Sequence, residues 1–163
     1  MSFRLLLSAA VATTAALALV SCQGVEGSHI TGIADLPLKT TQVPGRDWQQ
    51  SPLRANAKYL LYGANTRQQK ADRLGDYYHV RWYDADPTQP VKLVMRYTQA
   101  LTASKEFTRT IDYPAPREST GSYKAEFFFN GADRKKGGDI LTWRIELYSG
   151  DKLVDSRQSY LWE

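Results

Sequence analysis

The chain of 163 residues is poor in the residues that most folds and enzymes lean on. It has one cysteine, so no disulfide can form within it and the core must hold by packing alone. It has two histidines, His29 and His79, far apart in the sequence and with no Cys/His cluster around them, so a structural zinc site is excluded. No Gly-x-Ser-x-Gly elbow occurs, which removes the serine hydrolases built on that plan. No glycine-rich loop runs from a strand into a helix, so phosphate cradling of that kind is absent too. No internal repeat, low-complexity tract or convincing amphipathic helix is present. Charge of one sign is also scarce. The net formal charge is +4 and falls to +3 once Arg4 is lost, with the basic residues spread along the chain, so nucleic acid is not an expected partner.

The one long apolar run is N-terminal. Residues 1–4 carry a single positive charge, and residues 5–20 are Leu, Ala and Val broken only by Ser8, Thr13 and Thr14. This is the layout of a secretory signal peptide over residues 1–21. As a helix the run would be about 24 Å long, short for a hydrocarbon core of about 30 Å, so a spanning anchor is the weaker expectation.

The run ends in Leu19-Val20-Ser21-Cys22, which holds the sole cysteine. These four residues resemble the bacterial lipobox at every position. The resemblance implies that the Cys22 thiol takes a diacylglyceryl group, that the Ser21–Cys22 bond is cut, and that the new N-terminus is acylated. Two or three acyl chains hold a protein to a membrane durably where one does not, at about 0.8 kcal/mol per buried methylene. Gln23 stands where an Asp would resemble the inner-membrane retention signal, so the outer membrane is expected if the source has two.

Beyond the cysteine the chain has the length of one domain and a tether. Residues 22–54 read as the lipidated cysteine, a small polar tether and an extended lead-in punctuated by Pro37, Pro44 and Pro52, with Trp48 as its docking residue. Residues 55–163 hold the tyrosines and three of the four tryptophans, the composition of an aromatic-rich β domain. Seven short strands are expected there, at 58–62, 76–83, 91–98, 105–111, 122–129, 140–148 and 153–162. The clearest is 76–83, where Tyr78, Val80 and Trp82 alternate with Tyr77, His79, Arg81 and Tyr83. Residues 64–74 read as a loop or a turn or two of helix, and 130–139 as a loop. The expected fold is all-β, a single antiparallel sandwich of about seven strands of immunoglobulin-like kind, with a small β-barrel as the alternative.

The last hairpin has a definite register. Gly150-Asp151 as a two-residue turn sets Ser149 opposite Lys152, Leu147 opposite Val154 and Ile145 opposite Ser156. It also sets Arg144 opposite Arg157, like charges directly paired; a longer loop would shift the pairing by one. Together with the lipobox, the segments Arg73-Leu74-Gly75-Asp76-Tyr77-Tyr78 and Leu153-Val154-Asp155-Ser156 through Tyr160-Leu161-Trp162 are similar to uncharacterised bacterial lipoproteins that carry an immunoglobulin-like sandwich. That resemblance implies a fold and no activity.

No catalytic residue is expected, and no metal or cofactor. Asp84, Asp86, Asp139 and Asp151 read as turn formers rather than calcium ligands, because the later glycine and glutamate of an EF-hand loop are missing. The basic run Arg134-Lys135-Lys136 reads as a solvated hairpin tip more than as a headgroup contact. The candidate binding face is Tyr77, His79, Arg81 and Tyr83 with Arg96 on the next strand, because Tyr and Arg on an exposed sheet face favour interfaces and stack on sugars. The expected function is a non-enzymatic envelope lipoprotein that binds a protein or a glycan. A self-assembling structural subunit and a hydrolase with an unread site are the alternatives.

Overall fold

The computed structural model of the protein describes residues 27–43, 45 and 51–162. Leu19, Val20, Ser21, Cys22 and Trp48, with the signal segment and most of the tether, lie outside the described residues. Among the described residues no helix is long and apolar enough to cross a membrane.

Seven strands form two open antiparallel sheets, and the barrel alternative falls. The three-stranded sheet has the order β1 (His29–Asp35), β2 (Gly75–Asp84), β5 (Gly121–Asn130). The four-stranded sheet has the order β4 (Glu106–Tyr113), β3 (Val91–Gln99), β6 (Ile140–Ser149), β7 (Lys152–Gln158). Period-two alternation supplies the core: Tyr78, Val80 and Trp82 of β2 and Ala125, Phe127 and Phe129 of β5 face Leu93, Met95, Tyr97, Ile145 and Leu147 across the sandwich. Gly75 opens β2 where only glycine fits, since a Cβ there would collide with the Phe129 carbonyl oxygen.

Two expected elements are of another type. Residues 58–62 are not a strand but the end of helix α1 (Ser51–Leu61). Pro52 sits in the first turn, where its missing N–H costs nothing. Ala57, Leu60 and Leu61 recur at helical spacing and are buried together with Leu38 and Tyr77. The strand that replaces it is β1, which lies in the stretch read as an unstructured lead-in. Its pairing with β2 shifts register between Ile30 and Gly32, and that bulge breaks the alternation by which a strand is recognised.

Two short helices lie between strands: one realises the turn or two of helix expected within 64–74, and the other replaces the loop expected at 130–139. α2 (Arg67–Asp72) is closed by a capping box in which Thr66 and Gln69 bond each other's backbone. α3 (Gly131–Gly137) places Arg134, Lys135 and Lys136 in its last turn, where cations suit the helix dipole.

The β6–β7 hairpin starts in the expected register, Ser149 opposite Lys152 and Tyr148 opposite Leu153, and then slips. A bulge after Leu153 sets Leu147 opposite Asp155, Ile145 opposite Arg157 and Arg144 opposite Gln158. The slip keeps Val154 against the core and separates the two arginines that strict pairing would have apposed. It also frees the Asp155 carboxylate to accept from the Ile30 amide at 2.9 Å, tying the β7 edge to the β1 edge.

The opposite side of the sandwich is closed by inward-pointing side chains of β4. Arg109 donates to the Phe128 carbonyl at 2.6 Å and Tyr113 to the Lys124 carbonyl at 2.9 Å, so backbone groups on the free edge of β5 are occupied. Buried carboxylates pin both ends of β2. Asp84 accepts from Arg117 at 2.7 Å, and Asp76 accepts from Lys39 at 2.7 Å and from the Ile140 amide at 3.1 Å.

Candidate functional site

The five residues of the expected binding face do not share one face. β2 and β3 belong to different sheets, so Arg96 lies on the far side of the sandwich from Tyr77, His79, Arg81 and Tyr83. The neighbour of β2 is β5, with Arg81 directly opposite Lys124, His79 opposite Glu126 and Tyr77 opposite Phe128.

Tyr77 is a structural residue. Only 9% exposed, it packs under α1, donates to the Arg73 carbonyl at 2.6 Å and accepts from the Asn130 amide at 2.9 Å. His79 is half-buried; its Nε2 stands 3.6 Å from a Glu126 carboxylate oxygen, and the Tyr59 ring meets it edge-on at 6.2 Å. Tyr83 lies against the His29 ring at 5.6 Å. Arg81 is exposed and extends across β1 at Gly32, where a Cβ would sit 3.3 Å from its guanidinium.

α1 turns this side of the molecule into a groove. Seated on Tyr77, it stands beside the outer face of the three-stranded sheet and leaves a trough of about 510 Å³ between Ala55, Asn56 and Tyr59 on the helix and His79, Arg81, Lys124 and Glu126 on the sheet. Ala34, Leu36, Val80 and Ala125 supply its apolar lining. A second trough of about 380 Å³ continues from Tyr59 and Glu126 past Tyr62 and Phe128. Large apolar side chains are exposed here: Tyr62 at 84%, Tyr59 at 62% and Phe128 at 51%. Among the described residues no ion pair or side-chain hydrogen bond reaches the Arg81 guanidinium or the Lys124 ammonium.

The outer face of the four-stranded sheet is of opposite character. Arg96 bridges Glu106 at 3.1 Å and Glu146 at 3.4 Å, and Arg144 reaches Glu146 at 3.0 Å. Tyr148 donates to Glu146 at 3.0 Å. Glu106 first, and then Glu146, hold the Arg96 guanidinium protonated more firmly than usual, and the bond to Glu146 raises the Tyr148 phenol. Arg96 is therefore engaged by its own sheet.

The other charged candidates are largely occupied as well. Arg134 pairs with Asp139 at 3.0 Å and Lys135 with Asp72 at 3.1 Å, so two of the three cations in the basic run serve the fold. Asp84 belongs to Arg117, and Asp139 to Lys39 and Arg134. Among the described residues no three potential metal ligands gather. Among the described residues the groove holds His79 with a single carboxylate, and no Ser, Thr or Cys side chain lines it.

Tyr59, Lys124 and Glu126 are site residues that reading by sequence passes over. The alternation in 122–129 already puts Lys124, Glu126 and Phe128 on the solvent side. Nothing local tells which strand lies beside them, and Tyr59 sits in the segment taken for a strand. No protein-family model, curated protein or solved structure matches the chain.

Proposed function

We propose that the protein is a lipid-anchored, non-enzymatic binding module of a bacterial cell envelope. It is held to the membrane, the outer one where there are two, through acylated Cys22, and engages a protein or glycan partner along the outer face of its three-stranded sheet. The observation that carries the reading is the groove beside α1, with exposed Tyr59, Tyr62 and Phe128 and the cations Arg81 and Lys124, with which no acid among the described residues pairs. Exposed aromatic surface next to a concave site is what a binding module presents, and the fold itself draws no stability from leaving it bare.

Two observations weigh against the alternatives. Groups on the β5 edge are taken by Arg109 and Tyr113 and the Ile30 amide of β1 by Asp155, so strand-to-strand self-assembly would fall to the edges of the four-stranded sheet. A hydrolase of the common kinds would need a Ser, Thr or Cys nucleophile or a second carboxylate beside His79, and the described lining of the groove supplies neither.

The anchor is tested by fractionation and mass spectrometry of the wild type and Cys22→Ser. The wild type is expected in the membrane fraction carrying acyl chains and the variant to lose both; an acylated, membrane-bound variant overturns the anchor. The module is tested by photo-cross-linking in intact cells from position 62, which is expected to yield an envelope adduct. An adduct only from a residue on the far sheet, such as position 96, overturns the assignment of the face.

A further inference from the structure

Resting on the binding-module reading, we infer that the groove takes an acidic glycan, with a sugar carboxylate held between Arg81 and Lys124 and a sugar ring against Tyr59. Arg81 and Lys124 are directly opposite across the β2–β5 ladder. Lys124 turns its carbonyl away from β2 toward Tyr113, so the pair is of the non-hydrogen-bonded kind in which the bases of facing side chains come closest, while the Arg81 guanidinium leans over β1 at Gly32. Like charges so placed cost the sheet stability unless something of opposite sign covers them. Elsewhere this chain supplies such cover: Glu146 stands beside Arg96 and Arg144, which are also directly opposite. At Arg81 and Lys124 the acid in the matching position, Glu126, lies against His79 instead and makes no ion pair with either cation, so a bound anion would complete the site.

The remaining lining separates a sugar from a peptide. Past the cations the groove offers Asn56, His79 and Glu126, a mixture of donors and acceptors suited to hydroxyl groups. Glu126 would repel a run of acidic side chains, yet it accepts well from a hydroxyl. Tyr59, then Tyr62 and Phe128 in the adjoining trough, present exposed rings in succession, which fits the apolar faces of successive sugar units. An extended peptide captured by main-chain pairing needs a free edge, and carbonyls of β5 are already taken by Arg109 and Tyr113. The two troughs share Tyr59 and Glu126, so a linear chain can run from the carboxylate subsite onto the aromatic one.

The test uses the full-length chain in neutral detergent, with a hexamer of galacturonic acid as the probe and a neutral maltohexaose as the control, read by calorimetry. Saturable binding of the acidic hexamer is expected, weakened by salt. The double variant Arg81→Gln/Lys124→Gln should lose about tenfold or more in affinity, since charge-assisted bonds are removed. Tyr59→Ala should lose about fivefold through lost stacking. The double variant should melt no lower than the wild type, because the pair it removes is repulsive. No binding of the acidic hexamer, equal binding of the neutral one, or undiminished binding by the double variant overturns the inference. If the acidic hexamer fails while cross-linking from position 62 captures an envelope protein, the glycan falls and the binding module stands; if both fail, both fall.

Discussion

The two outer faces of the sandwich handle charge in opposite ways. On the four-stranded sheet, Arg96 and Arg144 are direct cross-strand neighbours, and Glu146 accepts from Arg96 and Tyr148 and forms an ion pair with Arg144. On the three-stranded sheet, Arg81 and Lys124 are direct neighbours as well, but the acid in the matching position, Glu126, stands against His79 and pairs with neither of them. One face pairs its cations with its own carboxylates; the other leaves its cations without an ion pair among the described residues. α1 adds to the contrast, since only the second face has a helix beside it to make a groove. Exposed charge alone does not mark a site. What distinguishes the candidate face is a pair of cations without an ion pair among the described residues, next to concave aromatic surface.

The contrast is most easily broken by unseating α1. Leu60 is buried against Tyr77, Leu38 and Ala57, so Leu60→Ala should cost about 2–5 kcal/mol at the helix seat. In urea unfolding this appears as a lower midpoint, and limited trypsin digestion should cut earlier at Arg54 and Lys58. A variant as stable and as protease-resistant as the wild type would mean that α1 does not hold the groove.

A second experiment makes the closed face resemble the open one. Glu146→Gln leaves Arg96 and Arg144 facing each other without their shared carboxylate and should destabilise by about 1–3 kcal/mol. Arg81→Gln on the other face should change stability by no more than about 0.5 kcal/mol. Equal losses in the two variants, measured by urea midpoints under one set of conditions, would erase the distinction between the faces.

The smallest effect concerns Asp35 at the end of β1. Burial first, and then the nearby Asp76, raise its carboxyl above the ordinary value of 3.8, with Lys39 opposing. An acid whose pKa is raised by folding binds protons more readily in the folded state, so it penalises the fold at neutral pH and the penalty fades as pH falls through the raised value. Asp35→Asn should therefore raise the melting temperature slightly at pH 7, and the advantage should shrink as pH falls toward 3.8. A gain that instead grows on acidification would contradict the assignment.

Much of the sandwich is legible without coordinates. The alternation of Tyr78, Val80 and Trp82, and of Tyr123, Ala125, Phe127 and Phe129, names the core face of β2 and β5. It works because side-chain direction in a strand repeats every two residues whatever the neighbours. The site is less legible. His79, Arg81 and Tyr83 are correctly turned outward, yet Tyr77 on the same side is consumed by α1, and Arg96 belongs to another sheet. Tyr59, Lys124 and Glu126 carry as much of the groove and have no local signature.

What the sequence by itself determined is therefore the inward and outward assignment along each strong strand, the turns between strands, and a fold without disulfides. Those depend on neighbours in the chain and on counting one cysteine. Tertiary structure alone decided that β5, not β3, lies beside β2, that residues 58–62 close a helix, and that β1 joins the sheet through a bulge. It also decided which edges are occupied and which cations lack a partner. Each of these is a pairing between residues distant in sequence, and the free energy that selects among such pairings comes from burial and packing of the whole sandwich rather than from any local pattern.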